Sequence, residues 1–243
     1  MEEDLCSFLD WDSKHFLYRI GKINKQKLDN NDFINVEDWI GVNNIECIYY
    51  LKGNNDNNFD IELNYGYEHV ATRVDLSLEI TRLDYSNFIS KKLNVNMLQS
   101  FNNDIFNILD NSISGTRFYN DKNFSKKDVQ KLYHKWIIKS FNSKSSVIII
   151  ATINSKITGF ISSRSINNSE ALIELVAVDS KYNHQGIGSN ILSRCIEFWS
   201  KKEKRILYVS TQLDNKPAIS FYQKFGFEIL NMKNWYHKWN LKK

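Results

Sequence analysis

Proline is almost missing from this sequence: Pro217 stands alone in 243 residues, beside abundant Asn, Lys and Ile. That bias reads as base-composition drift of the coding sequence, a mark of origin with no chemistry in it. Cysteine is nearly as scarce. Cys6, Cys47 and Cys195 are odd in number and lack metal-like spacing, which fits reduced, buried, inert thiols in a cytoplasm. His15, His69, His134 and His237 are scattered and imply no metal site. No apolar run approaches bilayer-spanning length, and the acidic opening "MEEDLCSFLDWDSKHF" has no positive stretch followed by an apolar core. A soluble, cytoplasmic protein without membrane insertion is expected. The net charge of +4 is dispersed over alternating Lys and Asp/Glu, so nucleic acid is not an expected partner, whereas anionic small molecules feel a modest pull.

What is present suffices for a core: 42% apolar residues in a chain long enough for one large or two small domains. Aromatics at 14% serve first as packing bulk and second as flat binding surfaces. The runs 16–23 and 47–52 have the β-branched and aromatic character of strands, with a helical spacing of Val36, Ile40 and Val42 between them. Residues 53–58 read as a polar loop and the start of a helix. A helix, Gly66 and a strand follow. The same succession returns around Gly226, matching Tyr65 to Phe225, Tyr67 to Phe227 and Glu68 to Glu228, so two readings stand, an internal repeat and two unrelated helix-Gly-strand junctions.

From about Leu93 the pattern predicts two helices, one through Met97, Leu98, Phe101, Ile105, Ile108 and Leu109 and one through Val129, Leu132, Tyr133, Trp136, Ile137 and Phe141. Two apolar runs around Asn154–Lys156 predict a hairpin. Next come a strand ending at Val178, a helix carrying Ile191, Leu192, Cys195, Ile196 and Trp199, a strand at 205–211, and a helix with Pro217 in its first turn. This order predicts a mixed α/β (α+β) fold.

Chemistry is concentrated in "YNHQGIGSN", residues 182–190. A strand, a turn through Gly186 and Gly188 and a helix beginning there would aim free backbone N–H groups and the positive end of a helix dipole at one spot, a site for phosphate. No Gly-Lys-Ser/Thr follows, so it is not a P-loop, and the third glycine of a dinucleotide fingerprint would fall at Ile191. A Gly-x-Gly turn of purely structural use is the other reading.

The stretch "VAVDSKYNHQGIGSNIL", a following strand, Asn215 and "FYQKFGF" together resemble the GCN5-related N-acetyltransferase (GNAT) family over about 146–227. The family's acyl-coenzyme A signature, Gln/Arg-x-x-Gly-x-Gly/Ala, maps onto Asn183 through Gly188, with Asn183 in the place of Gln/Arg. The resemblance implies a central, splayed mixed sheet flanked by helices, acetyl-CoA as donor, and no metal. It implies that His184, Gln185, Gly186, Ile187, Gly188 and Ser189 cradle the diphosphate, and that Val176, Ala177 and Val178 offer main-chain groups to the pantetheine arm. Val176 N–H becomes the oxyanion donor and Tyr222 the acid that protonates the departing thiolate. Tyr222 also reads as a packing residue beside Phe221 and Phe225, and Asn215 as a helix cap, a pantetheine partner, or both. His184 contacts phosphate or only solvent. Glu174, two residues before Val176 and so expected on its face, is the candidate base, or else a solvated or paired carboxylate. Nucleophilic use of Cys195 is not expected, because its helical stripe points into the core.

A narrower resemblance joins "DWDSKHF" near the start, "SGTRFYNDKNFSKKDVQKLYHKWI" in the middle and "STQLDNKPAISFYQKFGFE" at the end: the chain is similar to the dTDP-fucosamine acetyltransferase group. That implies residues 1–92 as a truncated GNAT-like N-terminal domain and 93–243 as the catalytic domain. The implied reaction acetylates the 4-amino group of a dTDP-4-amino-4,6-dideoxyhexose for surface glycans. Glu62 in the first copy stands where the second has Tyr222, so one donor site is expected. Arg117 reads as a partner for the substrate's diphosphate or as a surface arginine. Tyr133 and Trp136 read as core, with one of them available to stack on a sugar or thymine ring. The end "NWYHKWNL" is a candidate for pairing across a homodimer. Other acceptors, namely a protein N-terminus, a polyamine or an antibiotic amine, and a non-catalytic acyl-CoA-binding module, are the competing functions.

Overall fold

Asn154 and Ser155 both take positive φ, 50° and 64°, the turn geometry whose twist matches two right-twisted strands. The apolar runs on either side therefore fold back as a hairpin, as their pattern predicts. A computed structural model of the chain describes residues 4–53, 64–80 and 93–241. Its strands are β1 (Cys6–Phe8), β2 (Ile20–Ile23), β3 (Cys47–Gly53), β4 (Glu68–Glu79), β5 (Asn94–Met97), β6 (Ser146–Ile153), β7 (Lys156–Ser165), β8 (Glu170–Val178), β9 (Ile206–Gln212) and β10 (Glu228–Trp239). Its helices are α1 (Asp10–Phe16), α2 (Asn30–Val42), α3 (Asp104–Asp110), α4 (Arg117–Asn120), α5 (Lys126–Asn142), α6 (Ile187–Lys201) and α7 (Lys216–Lys224).

Two expected elements change. The run 16–23 is not one strand: Phe16 ends α1, Leu17 caps it in the left-handed region at φ 62°, and only Ile20–Ile23 extends. The helix expected from Met97 onward begins at Asp104, because Asn94–Met97 pairs with β6 as an edge strand. Apolar periodicity alone does not separate a short strand from the first turn of a helix.

The ten strands form one mixed sheet in the order β1-β2-β3-β10-β4-β9-β8-β7-β6-β5. That order hides a two-fold pattern. The parallel pair β2·β3, linked by α2, matches the parallel pair β8·β9, linked by α6, and antiparallel β1·β2 matches antiparallel β7·β8. The last strand of each half then crosses over: β10 pairs with β3, and β4 pairs with β9. β4 and β10 are both twelve residues long, pair with each other, and follow Gly66 and Gly226, which take φ of 78° and 88°. The matched residues Tyr67 and Phe227 are both buried. A cut at residue 92 would part β4 from both its sheet neighbours. The comparison of Glu62 with Tyr222 and the polar loop 54–58 lie outside the described residues.

β10 pairs with β3 as far as Trp239 and with β4 as far as His237. The "NWYH" part of the end proposed for dimer pairing is thus internal to the sheet, while Lys238 and Trp239 pair with β3 alone.

Helices cover both faces. On one, Ile191, Leu192, Cys195, Ile196 and Trp199 of α6 and Ile219 and Tyr222 of α7 pack on Val74, Leu76, Ile149, Ile161 and Val209, while α2 buries Phe33, Val36 and Ile40 on Ile48 and Tyr50. On the other, α1, α3, α4 and α5 bury Phe16, Ile105, Phe118, Leu132 and Ile137 against Tyr49, Ile148 and Phe160. Cys6 and Cys195 are buried, and burial pushes each thiol up to about 12, leaving them inert.

Gly159 on β7 sets how closely α6 approaches the sheet. A Cβ there would stand 2.8 Å from Ile187 Cγ2 and 3.2 Å from the Ala177 carbonyl oxygen. Gly159→Ala is expected to cost about 1–3 kcal/mol by overpacking, read as a lower urea midpoint.

Candidate active site

β8 and β9 start as parallel partners and then separate. Their pairing runs from Glu170/Ile206 to Ile173/Val209, although β8 continues to Val178 and β9 to Gln212. Each is held by its outer neighbour beyond that point, β8 by β7 through Val178 and β9 by β4 through Gln212. The separation begins at a bulge. Ser162 faces Leu175 and Ser163 faces Ile173, which leaves Glu174 as the extra residue that bends β8 away.

Main-chain groups along the gap follow from the ladder. Asp179 N–H bonds to the Thr158 carbonyl at 2.9 Å. Antiparallel pairs alternate, so Ala177 exchanges bonds with its partner Phe160, and the N–H and C=O of Val176 and Val178 turn away from β7 into the gap.

The bulge also overturns the expected facing of Glu174. Val176 packs with the α6/α7 core and Leu175 with the α5 core. Glu174 reaches the α5 side as well, where its Oε2 accepts from Ser140 Oγ at 2.8 Å and Ser162 Oγ at 3.4 Å, and its Oε1 from Arg164 Nε at 3.0 Å. An inserted residue reverses the alternation on which the sequence reading relied.

Two cavities meet at the gap. The first, about 650 Å³, is walled by Val176, Val209, Thr211, Asn215, Phe221 and Tyr222 on the α7 side and reaches through to Thr116, Tyr133 and Trp136. The second, about 740 Å³, lies on the α5 side among Arg73, Arg117, Lys139, Ser143, Arg164 and Trp235. Glu174, Tyr133, Trp136 and Gln212 line both. Volumes of this size suit a small-molecule ligand.

At the far end of β8, Asp179 caps a short 3₁₀ turn, His184 takes φ 62°, and Gly186 takes φ 76° at the N-cap of α6. No side chain caps this helix. The amides of its first turn are therefore left to water or to an anion. Asn183, His184, Gln185 and Ser189 surround the same turn. A Cβ on Gly188 would meet nothing closer than Phe221 at 3.6 Å, so the protein's own packing does not require glycine there. The helix α2, in the equivalent place of the other half, is closed by Asp29, whose carboxylate accepts from Asp32 N–H while Asp32 reaches back to Asp29 N–H.

Tyr222 is buried, its ring against Phe221 and Phe227, and its hydroxyl takes no partner among the described residues. Burial, and secondarily Cys195, pushes its pKa above the usual phenol value, so it holds its proton at neutral pH. Asn215 caps α7 through Ala218 N–H at 3.2 Å and is among the residues that line the first cavity.

Arg117 begins α4 and is caged, its guanidinium carbon 3.9 Å from the Phe118 ring centre, 4.1 Å from Trp235 and 4.4 Å from Tyr49. Its Nη1 bonds to His237 Nε2 at 3.1 Å, and His237 Nδ1 bonds to Asp121 Oδ2 at 2.7 Å. A scattered histidine is thus part of a buried network that the sequence reading missed, because its partners lie 116 and 120 positions away. Tyr133 is buried, and Trp136 stacks on the exposed Trp11 of α1 at 6.2 Å. Among the described residues no cluster of three or more His, Cys, Asp or Glu is arranged to hold a metal, and no helix is long and apolar enough to cross a membrane.

Burial holds His237 down at about 4, against the ordinary 6.5. A depressed value means that the stability it contributes is present above pH 6.5 and is lost as the pH falls toward 4, by at most about 3 kcal/mol. Chemical denaturation between pH 7 and about 4.5 should show this slope in the native protein, and His237→Gln should flatten it.

Residues 109–227 match the sequence model of the acetyltransferase (GNAT) family. The spore coat polysaccharide biosynthesis protein SpsD of Bacillus subtilis is 26% identical over 128 residues, covering 53% of this chain and 44% of that protein. The matched region spans less than half the length of such curated relatives. A functionally unknown conserved protein of Staphylococcus epidermidis superposes at a TM-score of 0.72 with 13% identity, covering 99% of this chain and 93% of that one. A tandem GNAT protein from the clavulanic acid biosynthesis pathway superposes at 0.63 with 8% identity, covering 92% and 76%. With the separated β8 and β9, the uncapped α6 and the family match in register with one another, the segment 109–227 belongs to the acetyltransferase (GNAT) family and is carried by a GNAT fold.

Proposed function

We propose that the protein moves an acetyl group from acetyl-CoA to the 4-amino group of a nucleotide-linked 4-amino-4,6-dideoxyhexose, with dTDP as the expected nucleotide, for surface-glycan synthesis. The observation that carries the reading is the break in β8·β9 pairing after Ile173/Val209, with an uncapped helix N-terminus at one end and Tyr222 on its wall. The kinship with a spore coat polysaccharide biosynthesis protein supports a sugar acceptor, as do the cations and serines of the second cavity.

Acetyl-CoA supplies an acyl carbon activated by its bond to sulfur. In this reading the first turn of α6 grips the diphosphate, with Asn183, His184, Gln185 and Ser189 around it, and Gly186 and Gly188 let the backbone come close. Main-chain groups of Val176 to Val178 extend to the pantetheine arm, and Asn215 adds its free amide. Val176 N–H donates to the carbonyl oxygen as negative charge grows there. The acceptor arrives from the α5 side between Tyr133 and Trp136 with Arg117 nearby. Glu174 takes the proton from its amine, the new C–N bond forms as C–S breaks, and Tyr222 gives its proton to the sulfur.

Incubation with acetyl-CoA and dTDP-4-amino-4,6-dideoxyglucose or -galactose should release free thiol, and dTDP should compete. Release with neither sugar would overturn the sugar reading, and indifference to dTDP would point to another amine. Tyr222→Phe is expected to lower kcat about a hundredfold while coenzyme A binding survives, as for loss of a general acid. Gly188→Ala has no steric cost in the fold, so it should keep or raise the unfolding midpoint while weakening coenzyme A roughly tenfold, the weight of a lost charge-assisted bond.

A further inference from the structure

We infer that Arg117 is a preset anion receptor in the second cavity, oriented by the Asp121–His237 pair, and that it takes a phosphate or diphosphate carried by the acceptor. This rests on the acceptor reading above and goes past it by assigning the group, its orienting residues and the ligand chemistry.

Four cations line the second cavity, and they are not equivalent. Arg73 is tied to Asp75 at 2.5 Å, and Arg164 to Glu174 at 3.0 Å. Lys139 is a flexible point charge in the last turn of α5. Arg117 alone combines a fixed position with no carboxylate in ion-pair range among the described residues. Asp12 of α1 acts on it only at longer range, and Asp121 is separated from it by the imidazole of His237. Of the five N–H donors of a guanidinium, the described residues engage one group, Nη1.

The orientation of that guanidinium is determined from behind. Asp121 Oδ2 accepts from Trp239 Nε1 at 2.8 Å and faces His237 Nδ1 at 2.7 Å, and Asp121 Oδ1 accepts from Asn123 N–H at 2.9 Å. A carboxylate acceptor places the imidazole proton on Nδ1, leaving the Nε2 lone pair to accept from Arg117. Three aromatic faces fix the plane of the fork. A desolvated cation held this rigidly without a carboxylate in contact is costly unless a ligand brings the anion. A carboxylate uses the same fork, so the test includes one.

The protein is first saturated with coenzyme A to fill the α6 cradle, and then titrated calorimetrically with dTDP, with inorganic pyrophosphate and with succinate. The expected result is binding of dTDP and pyrophosphate but not succinate, weakened about tenfold or more in Arg117→Met. His237→Phe should lose as much, and His237→Gln, which keeps an acceptor, should recover part. With the nucleotide sugar, the His237→Phe loss should appear in KM rather than kcat, which a general loosening of the fold would not produce. Coenzyme A affinity, read in the same runs, checks that each variant is folded. Equal dTDP affinity in the native protein and Arg117→Met overturns the inference, as does a coenzyme A-loaded protein that ignores pyrophosphate or prefers succinate. Failure to bind coenzyme A at all overturns the donor reading instead, and dTDP titration of the unloaded protein still judges Arg117.

Discussion

Parallel strands seldom give up their hydrogen bonds in the middle of a sheet, since an unmade bond at a buried group costs about 1–3 kcal/mol. Here β8 and β9 do so after Ile173 and Val209, and the surrounding structure is arranged to sustain it. β7 holds β8 straight from outside, and β4 holds β9. The second support comes from the amino-terminal part of the chain. Without β4, β9 would be an edge strand with one partner for only part of its length, free to close on β8 or to fray. The amino-terminal half thus has a mechanical task even though it contributes few groups to the first cavity.

The crossing of β4 and β10 explains why that task falls to it. Two similar units, each a parallel pair joined by a helix, exchange their last strands and so become one sheet. Similar units need not have similar chemistry. At Asp29 a carboxylate accepts from the Asp32 amide in the first turn of α2 and leaves negative charge where an anion would have to sit. At Gly186 no side chain does this, and the same positive helix end stays open. One residue type at one cap position decides whether a helix end is closed by its own chain or left open.

Much of this was legible in local pattern. Gly186 and Gly188 between an apolar run and a helical stripe point to the α6 turn, the spacing from Val129 to Phe141 to α5, and the echo of Gly66 in Gly226 to the two-fold order of strands. What stayed hidden depends on pairing across the chain. A bulge has no signature in "ELVAV", because it is defined by Ser162 and Ser163 on the neighbouring strand. The Arg117–His237–Asp121 network joins α4 to the last strand, and no periodicity connects them. The short β5 resembled a helix start because four residues are too few to show a period.

The bulge has one more consequence for the proposed reaction, which needs a proton acceptor and a proton donor that do not neutralise each other. With regular alternation Glu174 would share a face with Val176, on the side where Tyr222 lies. A carboxylate there would accept the phenol's hydrogen bond and hold the proton meant for sulfur. The extra residue turns Glu174 to the α5 face, where Ser140, Ser162 and Arg164 engage it, while Tyr222 stays on the α7 face without a partner. Acid and base are then sorted by the two faces of one sheet, and the gap between β8 and β9 is where an amine and an acyl carbon can come together.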